Sequence, residues 1–248
     1  MKRIKLIIEY DGSNYVGWQI QKSGKSIQEE IEKCLKKLFK KNIRLYVAGR
    51  TDAGVHALYQ VAHFDIDKIE FEISKIAFAL NHLLVKSKNN IVILKSERVS
   101  ELFDSRFSVK EKTYLYKILN RRIPSTILSN RAWFVPKEID IENLKELSKP
   151  LIGKFDFNAF RSKHCQSKTS IRSIKNIKIK KVNECIELRI IGKSFLHNQV
   201  RIIVGTLIKV SLENGDEKEI MRILRSKDRQ NAGPTVPAHG LYLEKIKY

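Results

Sequence analysis

The 248-residue sequence is poor in cysteine and has no long apolar run. Cys34, Cys165 and Cys185 are odd in number and widely spaced, which argues against a disulfide framework and favours a reducing compartment. Apolar stretches such as 6–8 and 202–204 fall far short of the ~18 residues that a membrane span needs. The N-terminus shows no apolar block followed by small residues, so we expect no signal peptide. Together these features predict a cytoplasmic protein.

Acidic side chains are also scarce, since 27 Asp and Glu residues face 48 Lys and Arg residues, for a formal net charge of +21. The resulting pI of about 9.9 is typical of a nucleic-acid binder. The alternative is a lysine-rich proteome, which would raise the net charge of a protein whether or not it binds nucleic acid. Lysine is indeed spread along the whole chain. Because 42% of the residues are hydrophobic, the chain can still bury a core. The composition therefore favours a folded protein that binds RNA or DNA.

The order of predicted elements repeats once along the chain. Period-two alternation predicts strands, and apolar residues at helical spacing predict helices. In the first half the predicted strands are 3–10, 43–48, 58–65 and 91–97. One predicted helix begins at a Ser26/Glu29 capping box, and a second predicted helix spans 73–84. In the second half the predicted strands are 111–119, 172–181, 184–191 and 240–246, and the predicted helices are 140–151, 196–213 and 216–226.

Two successive β-α-β-β-α-β units predict an α+β fold of two ferredoxin-like (RRM-like) halves with largely antiparallel sheets. We place the N-terminal half at 1–105 and the C-terminal half at 106–248. The repetition is one of topology, because no sequence identity between the halves is evident. Where two such halves meet we expect a central cleft, which is a preferred place for a ligand.

The segment 48–57, AGRTDAGVHA, carries the most chemical information in the chain. It lies between two predicted strands and packs two glycines, Arg50, Thr51 and Asp52 among small residues. Glycine allows positive φ or close approach of the backbone, and alanine leaves room for a flat substrate. From the residues alone, a tight hairpin with an Asx-turn at Asp52 and a surface Arg50 remains an alternative.

This segment resembles the signature loop of the tRNA pseudouridine synthases of the TruA family. Four further blocks, in the same order as in the family, extend the resemblance over nearly the whole chain. They are 9–12 with 15–19 and Gln28, 107–108 with 112–116, 195–201 with 204–207, and 232–237 with 239–243. One departure is Val85, which stands at the exit of a predicted helix where the family usually has proline.

The resemblance implies a pseudouridine synthase fold and assigns roles to particular residues. Asp52 matches the catalytic aspartate, Tyr114 a substrate-contacting tyrosine, and Arg201 an arginine that pairs with the aspartate. Pseudouridine formation breaks the C1′–N1 bond of uridine and rejoins the uracil through C5. A carboxylate can serve this reaction by trapping the electron-poor sugar carbon or by adding to C6 of the base. Arg201, in an otherwise apolar helix, would keep Asp52 ionised.

Plainer interpretations of the other residues stay open. The ring of Tyr114 could stack on the displaced uracil while its hydroxyl relays the C5 proton, or it could be a half-buried strand tyrosine. Tyr116, on the same strand face, is expected to be a packing residue. Arg50 is expected to enter the nucleic-acid stack in place of the flipped nucleotide, and a phosphate contact is the alternative.

We expect no cofactor and no metal. His164 and the three cysteines lack C-x-x-C or H-x₃-H spacing. The sequence contains no P-loop, no Rossmann glycine pattern and no Ser-His-Asp layout. Isomerising uridine also needs no energy source and no redox partner.

The resemblance implies that the substrate is tRNA, at uridines 38, 39 and 40 of the anticodon stem-loop, bound across a homodimer. Recognition through phosphates and RNA shape suits the net charge of +21. One alternative is a paralogous synthase that acts on ribosomal RNA. Another is an RNA-binding module without catalysis that uses Tyr114 and Tyr116. The presence of Asp52, Tyr114 and Arg201 together argues against such a module, because binding alone needs no carboxylate among phosphates.

Overall fold

The computed structural model describes residues 1–163 and 165–248, and these form five α-helices and ten β-strands. The strands are β1 Lys2–Tyr10, β2 Tyr46–Val47, β3 His56–Ile66, β4 Ile91–Val99, β5 Glu111–Asn120, β6 Trp133–Val135, β7 Gly153–Asp156, β8 Ile171–Val182, β9 Cys185–Gly192 and β10 Leu241–Lys247. The helices are α1 Ile27–Phe39, α2 Ser74–Lys86, α3 Ile141–Ser148, α4 Gln199–Leu212 and α5 Glu217–Ser226. The predicted α+β class is confirmed. His164, considered above as a metal ligand, lies outside the described residues.

The chain folds as two units. The first unit comprises 1–110 and 242–248, and the second comprises 111–241. The C-terminal strand β10, predicted as the last strand of the second half, therefore belongs almost wholly to the first unit. A domain is a segment that can fold independently, and our division into two domains at 105/106 stays a prediction.

The sheet of the first unit is built around β1, which pairs antiparallel with β3 on one side and β4 on the other. Strand β2 also pairs antiparallel with β3, whereas β10 runs parallel to it, with Tyr242 opposite His56. The alternation in β1 buries Ile4, Leu6 and Ile8 completely, as the sequence pattern predicted.

Helix α1 contacts this sheet through Phe39, whose ring centroid lies 6.0 Å from that of Phe64 on β3. The start of the helix and its apolar face are both encoded locally. The Ser26 hydroxyl accepts a hydrogen bond from Glu29 N at 3.2 Å, which confirms the predicted cap. Ile27, Ile31 and Leu35 recur at helical spacing and are fully buried. Burial of each such side chain contributes about 2 kcal/mol.

Helix α2 continues two residues beyond its predicted end at 84, to Lys86. Val85 keeps the backbone N–H that a proline would lack, so the helix is not interrupted there. The side chain of Asn81 donates to Ile93 O at 2.9 Å and accepts from Ile93 N at 2.7 Å. Asn81 thereby ties α2 to β4, the outer strand of this sheet.

The sheet of the second unit consists of β5, β9, β8 and β7, with every neighbouring pair antiparallel. Strand β6 pairs parallel with the other side of β5, where Trp133 lies opposite Ile118. The predicted dominance of antiparallel pairing is therefore confirmed in both units. Strands β6 and β7 were not predicted, since segments of three and four residues show no readable alternation.

Helix α4 is the most buried helix of the second unit, and Lys209 is its one exposed residue. It begins at Gln199 rather than at the predicted 196, because Asn198 has the left-handed φ of 62° and the Gln199 side chain accepts from Leu196 N at 2.8 Å. None of the helices in the described residues combines the length and the hydropathy that a membrane span requires.

Candidate active site

Asp52 lies on a loop of the first unit between β2 and β3. Its side chain is half-buried, whereas Arg50 is exposed. Val55 N donates to Asp52 O at 3.2 Å and closes a turn in which Gly54 has the positive φ of 77° expected from the motif. The carboxylate of Asp52 thus stands on a tight turn, and Arg50 precedes it on the solvent side.

The turn after β1 forms the support of this loop. Gly17 and Asp52 make an isolated antiparallel bridge, and Trp18 N donates to Thr51 O at 3.0 Å. Gly17 has φ of 106°, and a Cβ added to it would lie only 2.7 Å from Thr51 O. Glycine is therefore required here both for its conformation and for the close approach of the two backbones.

A buried polar network holds the loop from the core side. The Tyr10 and Thr51 hydroxyls are 2.7 Å apart, and Gln60 Nε2 donates to Tyr10 Oη at 3.3 Å and to Gly49 O at 2.8 Å. Burial raises the pKa of Tyr10 to about 12, although both hydrogen bonds act against that rise. Tyr10 therefore stays neutral at physiological pH, as a positioning group for the loop.

His56 secures the end of the same loop. Its Nδ1 lies 3.1 Å from Gly12 N, which donates to it, and 3.0 Å from a carboxylate oxygen of Asp11. Its ring stacks on Tyr242, with centroids 4.7 Å apart and planes at 26°. The imidazole is 2% exposed, so we assign it a structural role in holding the turn and loop together.

Tyr114 lies in the second unit, on β5, and is 9% exposed. Its ring and that of Phe195 form a T-shaped pair, with centroids 5.3 Å apart and planes at 89°. Tyr114 and Tyr116 share one face of β5, as predicted. Tyr116 is confirmed as a packing residue, because it is fully buried and its hydroxyl donates to Pro237 O at 2.8 Å.

Arg201 lies in the first turn of α4 and is held by two hydrogen bonds within the second unit. Its Nε donates to Val236 O at 2.7 Å, and its Nη1 donates to Asn198 Oδ1 at 2.9 Å. Burial lowers the pKa of His239, and the nearby charge of Arg201 lowers it further. The hydrogen bonds to Val236 and Asn198 fix the orientation of the Arg201 guanidinium before any substrate binds.

The structure thus places Arg50 and Asp52 on one loop of the first unit, and Tyr114 and Arg201 on regular elements of the second. The ion pair between Asp52 and Arg201 would join residues of different units, and it stays a prediction. The described residues contain no group of three or more His, Cys, Asp or Glu side chains arranged to hold a metal ion.

Sequence reasoning missed the residues that position these groups. Three of them, Tyr10, Phe195 and Asn198, lie within the blocks that carry the family resemblance. The blocks therefore indicated the right regions, but they did not show which side chains are in contact. Gln60 lies outside every block, and its amide is fully buried in β3, where a polar group needs a hydrogen-bond partner.

Comparison with known proteins agrees with these features. The profile of a family described as "tRNA pseudouridine synthase" matches residues 6–108 and 147–248. The chain is 46% identical over 248 residues to tRNA pseudouridine synthase A of Anaplasma phagocytophilum (strain HZ), covering 99% of this chain and 100% of that relative. It is 40% identical over 248 residues to the protein of the same name from Brucella anthropi, covering 100% of this chain and 98% of the relative.

Among solved structures, the chain resembles one described as "Crystal Structure of a Cbf5-Nop10-Gar1 Complex", with a TM-score of 0.36 and 12% identity. The match covers 96% of this chain and 57% of that chain, and a likeness so low carries no argument. The sequence relatives and the family profile are decisive by contrast, because both extend over most of the chain. The chain therefore belongs to the TruA family of tRNA pseudouridine synthases, which are isomerases.

Proposed function

We propose that this protein converts uridine to pseudouridine at positions 38, 39 and 40 of the tRNA anticodon stem-loop, with Asp52 as the nucleophile. The observation that carries the proposal is the Asp52 loop itself. A half-buried carboxylate stands on a turn whose backbone is held by Trp18 and whose neighbour Thr51 is held by Tyr10. Such rigid presentation is what a nucleophile needs, because a misplacement of about 1 Å can cost 100-fold in rate.

The carboxylate would act on a uridine turned out of the RNA stack. Breaking the C1′–N1 bond leaves an electron-poor sugar carbon, and an aspartate can trap it or can add to C6 of the uracil. In the first route the aspartate holds the sugar carbon and the released uracil turns in the site, and in the second route the aspartate holds the base itself through C6. In both routes C5 then bonds to C1′ as the bond to the aspartate breaks. The C5 proton must then leave, and the Tyr114 hydroxyl is our candidate for relaying it.

The remaining assigned residues would bind the substrate. Arg50 is exposed next to Asp52 and would enter the space that the flipped nucleotide vacates. Arg201, already oriented by Asn198 and Val236, would pair with the Asp52 carboxylate and keep it ionised. Extrusion of a base costs roughly a few kcal/mol, and contacts of this kind offset that cost.

The proposal includes a homodimer that binds one tRNA across both subunits and works in the cytoplasm, where tRNA is found. The net charge of +21 supports recognition through phosphates. Recognition by RNA shape rather than by base edges would also allow three neighbouring uridines to be substrates of one site. Sedimentation with and without tRNA would test the dimer directly.

Tritium release from unmodified tRNA labelled at uridine C5 tests the chemistry, because the reaction replaces the C5 hydrogen. We expect the wild type to release tritium and Asp52→Asn to lose turnover by on the order of 10³-fold or more. The same variant should bind tRNA as well as the wild type, since it removes a negative charge near phosphates. Asp67→Asn, which alters a side chain that is 72% exposed, is the matched control and should keep full activity.

Persistent turnover by Asp52→Asn would contradict the nucleophile assignment. Mapping of the product would test the site, because pseudouridine outside positions 38 to 40, or in ribosomal RNA alone, would contradict the substrate assignment. Tight tRNA binding by the wild type without any tritium release would instead indicate a binding module.

A further inference from the structure

A hollow of about 310 Å³ lies on the second unit, beside the segment 121–132 that joins β5 to β6. Its apolar wall is formed by Pro124, Leu128, Trp133 and Phe134, and the ring of His239 completes it. We call this feature the aromatic hollow. It is separate from the side chains of Asp52, Tyr114 and Arg201, none of which lines it.

Trp133 is presented rigidly to the aromatic hollow. Its backbone lies opposite Ile118 in the parallel pairing of β6 with β5, and its ring meets that of Tyr116 edge-on at 6.4 Å and 76°. Tyr116 is fixed in turn by its hydrogen bond to Pro237 O. Trp133 is nevertheless only half-buried, so part of a rigid indole remains accessible to a flat ligand.

Two serines add hydrogen-bonding groups to the aromatic hollow. The Ser125 hydroxyl accepts from Leu128 N at 3.2 Å, and the Ser129 hydroxyl donates to Thr126 O at 2.9 Å. Within the described part of the chain, no group accepts from Ser125 Oγ and none donates to Ser129 Oγ. The pair therefore offers a ligand one donor and one acceptor, which is what the edge of a nucleobase can satisfy.

The loop beside the aromatic hollow is braced by an arginine. Arg121 donates from Nε to Ile123 O at 2.7 Å and from Nη2 to Pro124 O at 3.1 Å. Its Nη1 also pairs with Glu184 at 2.5 Å. These contacts fix the carbonyls of the loop, so the wall at Pro124 is preformed.

The charge around the aromatic hollow favours an anionic ligand. Residues 119–134 contain three arginines and no acidic residue, and even with Arg121 paired, Arg122 is exposed and Arg131 half-buried on the same segment. A purely apolar ligand would gain nothing from these charges or from the serines. An unpaired nucleotide uses all of them, because its base stacks on aromatic rings and its phosphate meets arginine.

We propose that the aromatic hollow binds an unpaired nucleobase of the RNA substrate, stacked on Trp133, with the adjoining phosphate near Arg122. This inference rests on the proposed function and deepens it, since it adds a second nucleotide contact besides the reacting uridine. A free nucleotide has the same chemistry, so the test includes one.

Tryptophan fluorescence tests stacking directly. The chain has two tryptophans, and Trp18 is 1% exposed, so only Trp133 can meet a base. We expect an unmodified anticodon stem-loop RNA to quench the fluorescence of the wild type and to protect it from acrylamide. A fully paired duplex of the same stem sequence should do neither. Trp133→Phe should remove the RNA-dependent quenching.

Kinetics with tRNA provide the second readout. Trp133→Leu keeps an apolar side chain but cannot stack, so we expect the KM for tRNA to rise about tenfold while kcat changes little. Trp133→Phe keeps an aromatic face and should restore the wild-type KM. Thermal unfolding of both variants shows whether β6 still pairs with β5. If either variant fails to fold, the fluorescence of the wild-type protein with RNA still tests the inference.

Unchanged fluorescence and acrylamide access, while the same protein releases tritium from tRNA, would overturn this inference and leave the proposed function standing. If the wild type neither binds the RNA nor releases tritium from tRNA, both this inference and the proposed function would be overturned. Quenching by uridine 5′-monophosphate but not by the stem-loop would indicate a free-nucleotide site and contradict the RNA assignment.

Discussion

The two units hold their proposed functional residues in different ways. In the first unit, Asp52 lies on an irregular loop whose Thr51 accepts a backbone hydrogen bond from Trp18 and shares a hydroxyl hydrogen bond with Tyr10. In the second unit, Tyr114 belongs to a strand within a sheet and Arg201 to a helix with nearly every residue buried. A loop site is thus positioned by a few specific contacts, whereas an element site is positioned by the packing of the whole unit. The supports of the loop should therefore be the more sensitive place to perturb.

Among changes to the supports of the two sites, Gly17→Ala should have the largest effect, because it alters the support of the Asp52 loop. The φ of 106° and the contact of 2.7 Å with Thr51 O both resist a side chain. We expect a loss of about 1–3 kcal/mol in the free energy of unfolding and roughly a 100-fold loss of kcat. Urea denaturation and tritium release measure the two quantities.

Gly24→Ala is the matched control for this prediction. Gly24 has a similar φ of 95°, but the added Cβ would meet only the side chain of Val16, at 2.7 Å. Backbone strain without contact to the Asp52 loop should cost stability and leave kcat near the wild-type value. Equal losses of kcat in both variants would show that Gly17 does not act through the loop.

Arg201→Ala tests the element site and should lower activity and stability together. It removes the hydrogen bonds to Val236 O and Asn198 Oδ1, and bonds of charged groups contribute about 1.5–3 kcal/mol each before relaxation. We expect the midpoint of thermal unfolding to fall and kcat to drop at least tenfold, with partial recovery in Arg201→Lys. Lys209→Ala, an exposed change on the same helix, serves as the control. An unchanged rate in Arg201→Ala would contradict its pairing with Asp52.

Tyr10→Phe sharpens the comparison with a small change. It removes one hydroxyl from the network with Thr51 and Gln60, which should cost about 1 kcal/mol in the free energy of unfolding and a few-fold in kcat. Tyr15→Phe removes a comparable hydroxyl that bonds Asn89 and Asn90 instead. If kcat falls equally in both variants, the network does not position Asp52.

Much of the fold could be predicted because its signals are local. The start of α1 follows from the Ser26 hydroxyl and the apolar spacing behind it, and the strands β8 and β9 follow from period-two alternation. The short β6 has no such signal, since three residues are too few to show a period. The parallel pairing of β10 with β3 depends on where the whole chain places two distant segments, which a local pattern does not contain.

In the candidate site, the proposed functional residues could be predicted from the sequence, whereas the residues that support them could not. Asp52, Tyr114 and Arg201 could be named because they stand in blocks that resemble a family. Their supports could not be named, because a hydrogen bond such as that between Gln60 and Tyr10 joins residues that are 50 positions apart. Side-chain partners over such separations are set by sheet register, and register is fixed only when the first unit assembles.

The amide of Asn81 has a consequence for behaviour at high concentration. An outer strand offers unpaired N–H and C=O groups to any other chain, which is a common route to edge-to-edge aggregation. By engaging both backbone groups of Ile93, Asn81 takes the place of one residue of a neighbouring strand near the start of β4. A single side chain of α2 thus occupies the place where a foreign strand would begin to add.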